Sequence, residues 1–444
     1  MSRPPTQGLR LTPGLAILLV LAVAGLGLIA YRFAFGLGAV TNLSDGYPWG
    51  FWIGMDILVG IALAGGGFVL AGLVHIFGGH RFHALTRPAI LTAFLGYLLF
   101  IFALMVDLGR PWNIWWALIS WNHVSPMFEV AWCVMFYTFV LFLELLPAVL
   151  ERLQWERAHQ LWRRVAPLLV IAALTVFTFA MTDSLGWTVA VAAILAAWET
   201  LMRTGVMARD RQMPILLIMA GIMLSTLHQS SLGTLFLITD KLGPLWYTPM
   251  LPLLFFLSAV MVAPAMVIFE GLVSARVLHR RPELPLLVPL GRALPFLLAG
   301  YLIVRVGDLL FRGVVLETMR QTLATWWWWL EIALVLVALA IFASPDLVRR
   351  GRGLLLGATA TVLALITHRT GVAIVGLDVP EYGRYVPAWP EVVITAGIVA
   401  LGLLAFRLAV AFLPIYEPEL EPGTAGRAPR AVHDHLTATP VRVG

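Results

Sequence analysis

The informative residues in this chain are polar ones standing where apolar ones are expected. His228 lies in LSTLHQSSLGTLF (224–236), followed by Gln229, Ser230 and Ser231, inside an apolar run over 214–238. Asp56 and Glu129 stand in two other apolar runs, with no opposite charge beside them in sequence. Asp45, Asp107, Arg110, Asn113 and His123 gather near the ends of the same or neighbouring runs. An ionisable side chain in hydrocarbon costs at least about 2.5 kcal/mol even on the lenient insertion scale, so a cluster needs a reason. A histidine and a carboxylate can exchange protons near neutral pH after modest shifts. Oxidation of a hydroquinone needs such groups, with a hydrogen-bond partner and a proton acceptor near each oxygen. Plainer readings stand beside this one. A lone buried histidine is usually a hydrogen-bonding core residue, and Asp107 and Arg110, at i,i+3, can form a helix-terminal ion pair.

The elements that must position these residues follow from composition. Of 444 residues, 60% are hydrophobic and only 12% charged, with mean hydropathy +0.89. A soluble domain carries roughly 25% charged residues. The solvent of this chain is therefore lipid, which excludes a soluble enzyme, a disordered chain and a nucleic-acid binder. The net charge of +6 does not revive nucleic acid, because the basic residues sit in short loops between apolar runs. The single cysteine, Cys133, excludes an intrachain disulfide and a cysteine-ligated iron–sulfur cluster, and no metal site is expected in this chain.

Twelve apolar runs are long enough to be read as spanning helices: 14–35, 51–77, 89–107, 126–149, 166–183, 187–202, 214–238, 249–275, 293–312, 326–343, 353–370 and 391–413. Unbroken runs of this kind mean helices rather than a barrel. The fold class is thus all-α and polytopic. Arginines crowd the segments before the first run and after the second, fourth, sixth, eighth, tenth and twelfth. The opposite loops hold little more than Arg110, Lys241, Arg320, Arg369 and Arg384. By the positive-inside rule both termini are cytoplasmic. Deleting the sixth run alone breaks this pattern, whereas deleting 166–202 preserves it. That pair therefore reads as a removable hairpin turning at Asp183–Gly186. Residues 1–413 form the membrane domain, and 414–444 a polar, Pro-rich tail expected to be disordered. No cleavable signal peptide, Walker motif, dinucleotide fingerprint or internal repeat is evident.

The outer loops TNLSDGYPWGFW (41–52) and DLGRPWNIWWALISWNHVSP (107–126) are rich in tryptophan. Tryptophan favours the membrane interface, so a simple interfacial belt explains many of these residues singly.

Taken together, TNLSDGYPWGFWIGMD (41–56), AGGGF (64–68), LGRPW (108–112), SPMFEVAW (125–132) and LSTLHQSSLG (224–233), running on to LWYTPMLPLLFF (245–256), resemble the NrfD/HybB/polysulfide-reductase family of membrane subunits. The match is nearest the hydrogenase-2-type branch and spans roughly residues 10–413. The resemblance implies a ten-helix core of two four-helix bundles, from which this chain departs by the 166–202 hairpin. The first bundle would comprise 51–77, 89–107, 126–149 and 214–238; the second would lie in 249–343, followed by terminal helices over 353–413. It further implies a quinone-reactive, haem-free anchor in a bacterial inner membrane, binding menaquinone or ubiquinone. Its partners would be a periplasmic ferredoxin-like iron–sulfur subunit and a larger catalytic subunit. Carried over by motif, Asp56, Glu129 and His228 would sit near the quinone headgroup, with Trp49, Arg110 and His123 around the mouth.

Three rivals remain. A bis-His haem needs two histidines at matching depth on facing helices. His75, His228 and His368 offer no such pair, and His123 lies in a loop, so no haem is expected. A secondary transporter would often show matching halves and broken helices. No symmetry is visible, and the glycine run at 65–67 reads as close helix packing. A purely structural anchor leaves Asp56, Glu129 and the HQSS run unexplained. Beyond the first bundle, Arg305, Asp308, Glu331 and Glu270 are further charges within apolar runs. An Arg305–Asp308 pair at i,i+3 is the default reading, and a proton path the functional one. Glu144 and Glu199, near inner helix ends, read as snorkelling groups.

Overall fold

The structure is a computed structural model that describes residues 12–47, 49–75, 79, 82–204, 215–239 and 241–416. The described residues are helical apart from turns, short loops and one isolated bridge between Leu242 and Leu377. Among them, ten helices are long and apolar enough to cross a membrane. They are α1 (Pro13–Phe35), α2 (Ile53–Val74), α3 (His83–Asp107), α4 (Pro126–Leu153), α5 (Glu156–Thr182), α8 (Leu251–Val277), α9 (Leu284–Phe311), α10 (Leu323–Ala343), α11 (Gly351–Thr370, continued by a π turn Gly371–Val375) and α12 (Trp389–Phe412). The other two expected spans are also helices. In α6 (Leu185–Arg203) the apolar stretch, Leu185–Leu201, is shorter than in the ten, and α7 (Ile215–Leu235) carries the polar HQSS run.

Local chemistry sets the helix starts. Thr12, Ser125, Ser184 and Thr322 each accept a hydrogen bond from the backbone three residues on, and proline follows at the first turn of α1 and α4. The α4–α5 connection collapses to a turn with Gln154 left-handed at φ 56°, so α5 begins ten residues before its apolar stretch. Asp183, at φ 48°, turns α5 into α6 inside the predicted Asp183–Gly186 turn. The amphipathic α5 packs on α4 and α7, whereas α6 packs chiefly on α5 and exposes Leu185, Trp187 and Ile194 outward. The hairpin is therefore an appendage on the rim of the first bundle.

That bundle is built from α2, α3, α4 and α7; α8, α9, α10 and α11 pack together beside it, with α8 touching α2 and α7. Helices α1 and α12 pair with each other and lean on α3. Their crossing depends on glycine: a Cβ on Gly25 would lie 2.8 Å from the Cα of Gly397. The glycine run in α2 serves packing in two of its three positions. A Cβ on Gly67 would meet the Ala89 carbonyl oxygen at 2.7 Å, and one on Gly66 the Ala263 carbonyl oxygen at 3.2 Å, whereas one on Gly65 would meet nothing closer than 3.4 Å.

The loops knit into two separate faces. On one, Lys241 Nζ donates to the carbonyls of Asp45 and Gly46, Tyr47 Oη to that of Gly383, and Arg312 to that of Pro244. On the other, Arg87 bonds Glu151 at 3.0 Å and the Pro414 carbonyl at 2.9 Å. The chain at Thr12 and at Pro414 thus emerges on the same face. The expected tail does not begin disordered: Ile415 is buried and Tyr416 Oη donates to Ser274 Oγ at 3.2 Å. Arg3, Arg10, Arg81, Arg209, Arg211 and residues 417–444 lie outside the described residues.

Candidate functional site

The polar residues singled out by sequence fall into separate groups. Asp56 starts α2 in a π-helical stretch, Ile53–Val59, and accepts a hydrogen bond from Thr395 Oγ1 of α12 at 2.8 Å. It lies within electrostatic range of Asp107, which in turn faces Arg32 and Glu391. The expected Asp107–Arg110 pair is replaced. The helix ends at Asp107, Arg110 is exposed beyond it, and the cation beside Asp107 is Arg32, which also donates to the Leu108 carbonyl. Sequence spacing could not show this, because α1 brings Arg32 in from 75 residues away. Glu391 fastens the same corner: its carboxylate accepts from the amides of Asn42 and Ala388 and from Tyr385 Oη. Burial and that carboxylate push the Tyr385 phenol up, so it stays a donor.

His228 belongs to a second group. It is fully buried in α7, stacked on Tyr137 of α4 with centroids 5.4 Å apart, and edge-on to Phe100 of α3. Neither ring nitrogen, nor Tyr137 Oη, has a hydrogen-bond partner among the described protein atoms. Tyr97 packs on Tyr137 at 4.1 Å and bonds Ser225 Oγ at 3.4 Å. Gln229, one residue on, turns to the other side of α7. Its Oε1 accepts from Arg369 Nη2 of α11 at 3.1 Å. Arg369 was expected in an outer loop; it is instead wholly buried, its guanidinium 3.5 Å over the Phe255 ring, with Nε and Nη1 unengaged. Nothing in the local pattern THRTG separates a loop arginine from a buried one.

Glu129, Trp49, Arg110 and His123 do not close around His228. Glu129 is half-buried in the first turn of α4, and Trp49 packs edge-on to Phe236 beyond α7. His123 Nδ1 sits 2.6 Å from the Ala180 carbonyl oxygen and Nε2 3.9 Å from Asp183, so it clasps the hairpin.

In the second bundle the ion pairs are rearranged from the expected one. Arg305 bonds both carboxylate oxygens of Glu331 at 3.2 Å, with Tyr301 as a third partner, while Asp308 pairs with Arg312 at 2.9 Å and accepts from Thr248 at 2.6 Å. His368, in the last turn of α11, is fully buried with Nδ1 3.4 Å from Glu331. Glu270 stands apart, lining a half-open cleft near the opposite face with Arg280 and Tyr416. Glu144 does not snorkel; it is buried at 3% exposure with neither oxygen hydrogen-bonded among the described atoms. A second, shallow and half-open crevice lies between α2, α7 and α8 and is lined by Gly65, Ser225, Thr226 and Gln229 among others.

Residues 39–380 match the polysulphide reductase NrfD family. The chain belongs to this family. A Nitratidesulfovibrio vulgaris protein is 35% identical over 430 residues, 94% of this chain and 97% of its own. The Escherichia coli K12 protein described as a probable Ni/Fe-hydrogenase 2 b-type cytochrome subunit is 31% identical over 397 residues, 88% of this chain and 89% of its own. The integral membrane subunit of menaquinone reductase from N. vulgaris is 35% identical over 129 residues, 29% of this chain and 30% of its own. NrfD membership makes this a multi-pass membrane subunit of the kind that anchors respiratory oxidoreductase complexes.

The expectation that the subunit carries no haem is corrected by the E. coli relative, whose name is that of a b-type cytochrome subunit. Among the described side chains of this NrfD protein, His228 and His368 are fully buried; both ring nitrogens of His228 lack a hydrogen-bond partner, as an axial ligand would need, whereas Nδ1 of His368 faces Glu331 at 3.4 Å. Their surroundings do not fit a porphyrin. Each ring is packed against aromatic side chains, and neither histidine lines either cavity.

Proposed function

We propose that this chain exchanges electrons between an isoprenoid quinone pool, menaquinone or ubiquinone, and a partner iron–sulfur subunit. In this reading it works with a larger catalytic subunit in a bacterial inner membrane. The observation that carries the reading is the buried pair His228 and Gln229 in α7, whose free nitrogens have no hydrogen-bond partner among the described protein atoms. Buried polar atoms left unsatisfied cost about 1–3 kcal/mol each, so a ligand or water that engages them is strongly favoured.

Oxidation of one hydroquinone releases two electrons and two protons. A partner docked on the tryptophan-rich outer loops would supply the one-electron acceptor for them in its iron–sulfur clusters. A ring nitrogen of His228 takes one proton; the other goes to a carboxylate, Asp56 or Glu129, each of which lies apart from His228 in the bundle. Trp49, Arg110 and His123 border the loops where the partner sits. A coupled proton path through the second bundle has a specific support. Polar side chains run from Gln229 through Arg369 and His368 to Glu331, Arg305, Asp308 and Arg312, the last two only 5% and 17% exposed. Glu270 would serve the opposite face.

The test uses the complex purified with its partners. His228→Ala and Glu129→Gln should each lower quinol-dependent turnover by about a hundredfold or more, the usual size of a general acid–base contribution, while the subunits still co-purify. Unchanged turnover in both variants would refute the assignment.

A further inference from the structure

The crevice between α2, α7 and α8 has features that helix packing alone does not require. It lies at mid-span, beside Gly65 of α2 and Ala259 of α8. Gly65 is the one glycine of its run that does not press on a neighbouring backbone; it leaves the crevice open. Val69, on its wall, is 40% exposed to the surrounding lipid. Its floor is polar, formed by Ser225, Thr226 and Gln229, of which Gln229 is only 2% exposed.

The orientation of Gln229 follows from chemistry rather than from the density of atoms. An arginine has no acceptor, so the group facing Arg369 Nη2 must be the amide oxygen. The amide NH2 is left over as a buried donor with no acceptor among the described protein atoms. Arg369 is held by a second bond, 2.8 Å to the Phe255 carbonyl, so the amide is locked in this sense. The floor therefore asks for an acceptor that arrives through hydrocarbon. A phospholipid acyl chain has none, and a phosphate headgroup does not reach mid-span. A carbonyl ring bearing an isoprenoid tail meets both demands.

We propose that this crevice is the lateral opening through which a tailed quinone enters: one carbonyl oxygen accepts from Gln229 Nε2, Arg369 is the positioning residue behind it, and the tail leaves between α2 and α8 into lipid. The inference deepens the quinone reading above and rests on it. It also makes the site common to both bundles, because Arg369 comes from α11. On the other side of the crevice Ser225 bonds Tyr97, whose ring packs on Tyr137, which in turn stacks on His228.

The test compares a hydroquinone with an isoprenoid tail and the same ring without one, using the intact complex in detergent. Val260→Trp, on the crevice wall, should raise KM for the tailed substrate by about tenfold while changing that for the tailless ring less than about twofold, since it removes binding rather than chemistry. Thr226→Leu is the milder plug, expected to act in the same direction should the tryptophan variant fail to assemble. Gln229→Leu should raise KM for both substrates and lower the quinone extracted per purified chain; Arg369→Gln should do so less, as a positioning role requires. Equal KM values in the plugged variants and the parent, or phospholipid rather than quinone lost from the Gln229→Leu protein, would overturn the crevice while leaving the quinone reading intact. A parent complex that oxidises neither hydroquinone would overturn both.

Discussion

At the scale of single residues, each buried charge is defined by its partner. Glu331 satisfies Arg305 bidentately in a fully buried setting. Glu331→Gln leaves that guanidinium without a counter-charge, so thermal unfolding in detergent should report a loss of about 3–5 kcal/mol, the usual cost of breaking a buried pair from one side. Replacing Glu317, whose partner Arg320 is 66% exposed, should cost only about 1 kcal/mol or less by the same measurement. Tyr416 yields a pH dependence. Burial, first, and then Glu270 raise its phenol from 10.0 to about 12. The folded state thus favours the protonated form. Its contribution is fully present below the ordinary value, and is lost as pH climbs through about 10 to 12. Tyr416→Phe should remove that alkaline loss, read as a flatter curve of melting temperature against pH.

At the scale of elements, helix existence was legible because apolar length is a local property, and the caps at Thr12, Ser125, Ser184 and Thr322 are local as well. Helix ends were less so. α5 begins well before its apolar stretch, since amphipathic turns at the membrane surface carry arginines without breaking the helix, and α9 begins at Leu284, its first turns LPLLVPLGR running through Pro285 and Pro289. The hairpin was visible from charge parity and stands as a peripheral pair. Deleting residues 166–202 should leave a C-terminal reporter on its original side of the membrane, whereas deleting 187–202 alone should set the parity against the arginine-rich loops and disturb the orientation. The α1–α12 crossing was not legible, because nothing marks Gly25 and Gly397 as partners until the helices meet. Gly397→Leu should push the pair apart and lower the melting temperature by several degrees, consistent with a loss of about 1–3 kcal/mol from overpacking.

At the scale of the whole molecule, two knitted faces enclose two bundles joined by α8 and by the Arg369–Gln229 bond. The outer face presents Trp112, Trp115 and Trp116, each about half to two-thirds exposed and the latter two stacked. Aromatic side chains are the commonest anchors of protein interfaces. If the proposed partner docks here, replacing Trp115 and Trp116 together by serine should reduce its recovery on affinity purification of this chain, with membrane insertion unchanged.

Membrane residence, helical class, family and the charge parity of the loops could all be read from the amino acids in order, because each depends on sums over neighbours along the chain. The proton-handling candidates were legible as residue types out of place, but not as a site. Arg369 meets Gln229 across 140 positions, Asp56 meets Thr395 across 339, and Arg305 pairs with Glu331 in place of Asp308, three positions away. Which of several partners a buried polar group takes depends on the distance left after the helices have packed. In lipid, where no water can stand in for a missing partner, that packing decides which groups are satisfied and which are left open for a ligand.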